Sequence, residues 1–355
     1  MRVVVLGLSI TSSWGNGHAT NYRGLVRALA ARGHDVLFLE RDMPWYAAQR
    51  DLARPPWGRT ELYGSVTELE RFEQEVRAAD LVLLGSYVPD GVAVGEWATD
   101  VATGATAFWD IDTPVTLAKL DAGDEEYLAP ELLRRFDLYL SFTGGPILRR
   151  LEDELGARRA EAFHCLVDTD AYRPGPQTNR WLLGYLGTYS DDRQDHVESL
   201  LLEPAQRLRD RSFVVAGPQY PETIEWPANV ERVEHLPPAA HRGFYLAQRF
   251  TLNVTREEMR RWGWSPSVRL FEAAACGVPI VSDWCEGLDA FFEPGREILV
   301  AGDADEATRI VSTTPPAERR AIAERARARV LAEHTAKRRA EQLERLVREL
   351  TGVPA

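Results

Sequence analysis

Apolar positions along the 355-residue chain fall into short unbroken runs separated by longer stretches of helical spacing. The first forty residues set the pattern. Residues 2–8, RVVVLGL, form a nearly continuous apolar run, as expected of a parallel strand buried on both faces. A polar loop, SITSSWGNGH, follows at 9–18. Beyond it Tyr22, Leu25, Val26 and Leu29 recur at three- and four-residue spacing, which predicts a helix with one buried stripe, and Gly33 stands where that helix should end. DVLFLE at 35–40 supplies the second strand and completes a βαβ unit.

The same alternation continues. Strands are predicted at 80–86 (DLVLLGS), 105–110 (ATAFWD), 137–141 (DLYLS) and 160–167 (AEAFHCLV), most of them separated by helical stretches. Residues 168–179, DTDAYRPGPQTN, read as a linker by their proline and glycine content. A second series then begins, with strands predicted at 181–187, 212–217, 230–234, 250–254, 279–283 and 297–300. From about 315 the chain is charged and helical, with Leu331, Leu343, Leu346, Val347 and Leu350 available to pack one face. The prediction is an α/β protein of two doubly wound, Rossmann-like domains, 1–173 and 178–334. Their strand carboxyl ends are expected to face one another across a cleft, where ligands of such sheets bind.

Composition narrows the function classes. The chain is 45% hydrophobic and 27% charged, with a net charge of −12 and no long basic run, which argues against a nucleic-acid partner. Three cysteines, Cys165, Cys276 and Cys285, have no metal-ligand spacing and suit a reducing cytoplasm. No apolar run approaches the roughly 18 residues of a membrane-spanning helix.

Four segments carry candidate chemistry. The loop 9–18 joins a strand to a helix, where backbone N–H groups favour an anion or a polar sugar. In it Gly15, Asn16 and Gly17 would let the chain approach a ligand, Trp14 could stack on a sugar, and His18 is a candidate general base or a capping residue. It lacks the GxGxxG dinucleotide fingerprint. FWDIDTP at 108–114 closes a strand with Asp110 and Asp112. Two apart on an extended segment, both could point the same way, and either could take a proton from an acceptor hydroxyl or serve as a cap or ion-pair partner. LGTYSDDR at 186–193 offers Thr188, Tyr189, Ser190 and Arg193, a hydroxyl-rich turn with a cation suited to a diphosphate, an ordinary surface turn being the alternative. Finally, SPSVRLFEAAACG predicts a helix from Ser265-Pro266 to Gly277. On one face it carries Arg269 near its N-terminus, for phosphate, and Glu272 one turn deeper, for a ribose diol; a simple Arg269–Glu272 surface pair is the alternative. Trp109, Trp262 and Trp264 flank these segments. The DID string at 110–112 falls in the first domain, and no other segment suggests a metal.

RLFEAAACGVPIVSD resembles the C-terminal signature of GT-B glycosyltransferases, and LVDTDAYRP resembles the interdomain strand end of the family-4 transferases. LNVTREEMRRWGWSPSVRLFEAAACG is most similar to the CgeB-like, spore-maturation branch. The resemblance implies a nucleoside-diphosphate sugar held by the C-terminal domain and a small-molecule or glycan acceptor held by the N-terminal one. It also implies a final helix, about 335–355, packing back on the first domain. By motif position it assigns Glu272 to the ribose; Ser267, Val268 and Arg269 to the diphosphate; Gly187, Thr188 and Arg193 to the first donor-domain loop; and Leu236 to the base. One position departs: where family-4 enzymes carry a glutamate eight residues before Glu272, this chain has Trp264, which leaves a retaining and an inverting route both open, the latter with His18, Asp110 or Asp112 as base. The expectation is a cytoplasmic, metal-independent glycosyltransferase without a cofactor; a nucleotide-sugar epimerase and a non-catalytic nucleotide-sugar-binding protein are the alternatives.

Overall fold

The computed structural model describes residues 1–352. The chain separates into two units, Met1–Leu166 together with the residues from Ala336 onward, and Val167–Thr335. The expected final helix is Ala336–Thr351; positions 353–355 of the segment assigned to it lie outside the described residues.

In the first unit seven parallel strands stand in the order β3-β2-β1-β4-β5-β6-β7. They are β1 Arg2–Gly7, β2 Asp35–Arg41, β3 Arg59–Tyr63, β4 Leu81–Gly85, β5 Ala105–Asp110, β6 Leu138–Ser141 and β7 Ala160–Ala162. The central strands are apolar throughout because helices cover both faces: β4 is entirely buried. Strand β3 escaped the hydrophobic pattern. Its sequence RTELY is polar and mostly part-exposed, as an edge strand can be. The predicted strand 160–167 is a strand of this sheet only over its first three residues, and Val167 at its end bridges to Thr335 instead. Helix Ala336–Thr351 buries Leu343, Leu346 and Val347 in the same core as Val3, Leu25 and Leu140. Glu344 on that helix fastens it to the turn after the first helix, taking hydrogen bonds from Arg32 Nη2 at 2.8 Å and from His34 Nε2 at 2.7 Å.

The second unit has six parallel strands in the order β10-β9-β8-β11-β12-β13. They are β8 Trp181–Leu186, β9 Phe213–Ala216, β10 Val230–Val233, β11 Gln248–Asn253, β12 Ile280–Ser282 and β13 Leu299–Val300. Its core gathers Leu183, Tyr185, Leu201, Phe213, Val215, Phe250 and Leu252. The unit begins at Val167, not in the proline-rich segment. Val167 N–H donates to His334 O at 2.9 Å, and the buried Tyr172 packs its ring 6.4 Å from that of Tyr245. Burial of these two side chains decides the boundary against the turn-forming residues around them.

Both sheets reverse direction of winding once, between β1 and β4 in the first unit and between β8 and β11 in the second. Each reversal leaves a crevice at the carboxyl ends of the two strands, the usual place for a ligand on an open α/β sheet.

Candidate functional site

At the second unit's reversal point, the helix Val268–Cys276 begins two residues later than its sequence suggests. Gly263 and Trp264 have φ of 67° and 44°, and the chain turns helical only after Ser267, whose hydroxyl accepts from Arg269 N–H at 3.3 Å. Trp264 N–H is held by Glu286 O at 2.7 Å, and its ring lies on Gly287, where an added Cβ would come within 2.4 Å of it.

Arg269 is 8% exposed and spans the crevice itself. Its Nε donates to Leu186 O, the end of β8, at 2.6 Å, and its Nη1 to Asn253 Oδ1, the end of β11, at 2.8 Å. The guanidinium carbon sits 4.8 Å from the centre of the Tyr185 ring. Gly187 passes so close that a Cβ would meet Tyr185 Oη at 2.6 Å and Arg269 Nη2 at 3.1 Å. Arg193 points the same way: its Nη2 donates to Thr188 O at 2.6 Å while its Nε is buried without a hydrogen-bond partner. Burial, and then the neighbouring charges of Arg269 and Arg256, push the Arg193 pKa down. Neither Arg193 nor Arg269 is in ion-pair range of a carboxylate among the described residues. Two partly desolvated cations, with only Asp192 as a nearby counter-charge to Arg193 and no ion pair to either, favour an anion with several oxygens.

Glu272, one turn deeper, is 4% exposed. Tyr245 Oη donates to its Oε2 at 2.9 Å, and His241 Nδ1 lies 4.0 Å from the same oxygen. Tyr172 Oη meets His241 Nδ1 at 3.2 Å, and His241 Nε2 meets Leu236 O at 3.1 Å. The Leu236 carbonyl thus has an internal partner. Arg269 and Glu272 do not form the surface pair that their spacing also allowed: each faces its own buried partners. The turn after β8 is less open than its composition suggests. Tyr189 and Ser190 give their hydroxyls to Asp191 and Asp192, whereas Thr188 is exposed.

In the first unit the loop 9–18 is tied down from within. The fully buried Glu40, at the end of β2, accepts from Ile10 N at 2.7 Å, Thr11 N at 3.0 Å and Thr11 Oγ1 at 2.6 Å. The loop's Asn16 faces inward, 5% exposed, donating to the carbonyls of Ser9 and Ser12 and accepting from His18 N, so it is a brace and not a ligand contact. Gly15 is needed for its φ of 58°, and nothing lies within 4 Å of the Cβ position at Gly15 or Gly17. Trp14 is half exposed. The segment after β2 is fastened to this loop through Leu52 N to Thr11 O at 3.0 Å and an Arg23–Asp51 pair at 2.8 Å.

Asp110 and Asp112 part company. Asp110 has no exposed surface; it takes hydrogen bonds from Tyr139, from Thr116 Oγ1 at 2.7 Å and from Asp112 N at 3.2 Å. Burial pushes its carboxyl pKa up. It is an internal anchor and cannot reach a ligand. Asp112 is half-buried and its Oδ2 accepts from Tyr87 Oη at 3.1 Å. His18 opens the first helix, His18–Ala31, with its ring 5.3 Å from that of Tyr87. Its Nδ1 is buried without a partner, and burial lowers its pKa to about 4, so the ring is neutral at neutral pH. Trp109 is a core residue between Tyr22 and Phe163 and belongs to no loop. Among the described residues no group of three or more His, Cys, Asp or Glu side chains could hold a metal, and no helix is long and apolar enough to cross a membrane.

A family model described as "Glycosyl transferase-like" matches residues 193–345. No curated protein matches the sequence. Among solved structures, sucrose-phosphate synthase from Thermosynechococcus elongatus is similar with a TM-score of 0.70 at 15% identity, over 100% of both chains. Anabaena HepE, solved with UDP and glucose, is similar with a TM-score of 0.72 at 14% identity, over 98% of this chain and 100% of the other. An alpha-glucosyltransferase solved with UDP-glucose and DNA containing an abasic site gives 0.71 at 11% identity, over 98% and 99%. The chain has the GT-B glycosyltransferase fold, two Rossmann-like units each built on a parallel sheet.

Proposed function

We propose that the protein is a glycosyltransferase that moves a sugar from a nucleoside-diphosphate sugar, bound by the second unit, to a hydroxyl of a small-molecule or glycan acceptor. The observation that carries this reading is the pair Arg193 and Arg269 at the β8–β11 reversal. Arg269 is buried and Arg193 half-buried, neither is in ion-pair range of a carboxylate among the described residues, and Arg269 is clamped by the ends of both strands. A diphosphate would meet these guanidiniums and the N–H groups at Ser267 and Val268, where the helix starts. Glu272, one turn along, takes the ribose hydroxyls, with Tyr245 holding one of its oxygens. Charge developing on the departing diphosphate is met by the two arginines, so the proposal needs no metal. UDP and glucose with HepE, and UDP-glucose with the alpha-glucosyltransferase, make UDP-glucose the first donor to try. Half-buried Asp112 and His18 on the first unit are the groups left for the acceptor.

The test is thermal unfolding with pyrophosphate, UDP, GDP, ADP and dTDP, on the wild-type chain and on Glu272→Ala. A ligand at 100 times its Kd adds about 2.7 kcal/mol of apparent stability, a shift of a few degrees. The expected result is stabilisation by pyrophosphate in both proteins and by one nucleotide more strongly in the wild type than in Glu272→Ala. Indifference of the wild type to all five ligands would overturn the reading.

A further inference from the structure

We propose that Tyr87 is a positioning residue that aims Asp112 at a hydroxyl of an uncharged, ring-shaped ligand bound on the first unit; this rests on the glycosyltransferase reading and assigns that unit's share of the site. Tyr87 lies two residues beyond the end of β4, Asp112 two beyond the end of β5, and His18 opens the helix that follows β1. The three therefore surround the β1–β4 reversal, where an open sheet offers its crevice.

Tyr87 has a φ of 63°, a left-handed conformation that a bulky side chain adopts only where its surroundings hold it. What that conformation achieves is specific. The ring comes to rest 5.3 Å from the His18 imidazole and 4.7 Å from the Tyr127 ring, and its hydroxyl reaches Asp112 Oδ2. Asp112 stands at the N-cap of the helix Thr113–Asp121, yet its side chain makes no capping bond; it is turned to Tyr87. Burial, and then the Asp112 charge, hold the Tyr87 phenol far above its ordinary range, so it remains a hydrogen-bond donor and never competes for the ligand's proton. The buried Asp110 lies behind Asp112, hydrogen-bonded to Thr116, whose hydroxyl also meets Tyr127 Oη at 2.9 Å.

The crevice therefore presents the half-buried Tyr87 ring, backed by the buried Tyr127, beside the half-buried neutral imidazole of His18 and one carboxylate fixed in direction. Aromatic faces suit the C–H surface of a sugar or a similar uncharged ring, and Asp112 and His18 suit its hydroxyls. An anionic acceptor would meet the Asp112 charge and is disfavoured.

The experiment is a double-mutant cycle on Tyr87→Phe and Asp112→Asn. The donor is whichever of UDP-, GDP-, ADP- and dTDP-glucose gives the largest thermal shift, and the acceptors are water and methyl glucosides. Tyr87→Phe is expected to lower turnover at least 10-fold while the donor KM and the unfolding temperature stay as in the wild type. Asp112→Asn is expected to lower turnover as much or more, and the double variant to be no slower than Asp112→Asn alone. Wild-type turnover in Tyr87→Phe, or losses that multiply in the double variant, would overturn the proposal. A wild-type chain that binds a nucleotide sugar but turns none over with these acceptors overturns it too, leaving the donor site standing. Failure to bind any nucleotide overturns both.

Discussion

Arg193 separates a binding role from a structural one, because the two predict opposite consequences for stability. The perturbation is Arg193→Met, which keeps the length and packing of the stem and removes the guanidinium. In the folded protein that group makes one hydrogen bond, to Thr188 O, and leaves its Nε buried without a partner beside two further arginines. Losing a charged hydrogen bond costs about 1.5–3 kcal/mol, while relieving a buried unsatisfied polar atom returns about 1–3 kcal/mol. These nearly cancel, and the repulsion from Arg269 and Arg256 is itself set against attraction to Asp192. The expected change in unfolding free energy is therefore within about 1 kcal/mol of zero, in either direction. Diphosphate binding has no such cancellation: one charge-assisted contact is lost, about 1.5–3 kcal/mol, or roughly a 10- to 150-fold weaker Kd. Calorimetric titration with pyrophosphate and UDP at fixed low salt, beside urea unfolding, reads both quantities. A variant that binds UDP as tightly as the wild type, or that unfolds more easily by over 2 kcal/mol, would show that Arg193 is a structural side chain and refute the reasoning.

Other consequences are independent of the donor site or bear on its edges. The Arg32 hydrogen bond, supported by His34, holds the Glu344 carboxyl at about 2 against an ordinary 4.5. A depressed carboxyl stabilises the fold fully above pH ~4.5 and loses that contribution as the pH falls through about 2, so urea unfolding should show Glu344→Gln weaker by on the order of 1–3 kcal/mol at pH 6, with most of the difference gone at pH 2. Glu40→Gln puts an amide NH2 among three donors and should destabilise the protein by about 2–4 kcal/mol, with faster amide hydrogen exchange at Ile10 and Thr11; unchanged exchange there would mean that Glu40 does not hold the loop. Gly187→Ala forces a Cβ against Tyr185 Oη and Arg269, and should weaken UDP binding at least 10-fold. Tyr185→Phe removes a buried hydroxyl without a partner and should be neutral or stabilising by up to about 1 kcal/mol, a result that thermal unfolding checks directly.

Most strands were legible because parallel strands covered on both faces need no polar residue, so VVVL, LVLLG and FVVA announce themselves. The edge strand Arg59–Tyr63 was not, since one of its sides pairs with nothing and its side chains stay partly in water. The boundary between units was misplaced for a related reason. Proline and glycine mark where a chain turns, but a boundary lies where contacts change hands, and Val167 and Tyr172 already belong to the second unit.

The site divides along the same line. The placement of Arg269 and Glu272 one turn apart on one helix was readable because three residues of helix fix their relative direction before any tertiary contact forms. Asp110 and Asp112 carried an equally local rule, alternation on an extended segment, and it failed because the strand ends at Asp110 and the backbone turns before Asp112. Asn16 stood among glycines that suggested ligand approach, yet its amide is consumed by carbonyls of its own loop. Asn253 and Tyr87 went unnoticed. Asn253 left a weak trace, a lone amide closing an apolar strand at the reversal point, and its meaning depends on Arg269 arriving from sixteen residues away. For Tyr87 there was no trace, since a positive φ at tyrosine has no sequence signal and its partners His18 and Asp112 come from two other strand ends. Local periodicity thus yields residues that act from one element. Residues that act by joining strand ends emerge only with the order of the sheet, and in both units those are the ones that set the direction of the charged groups.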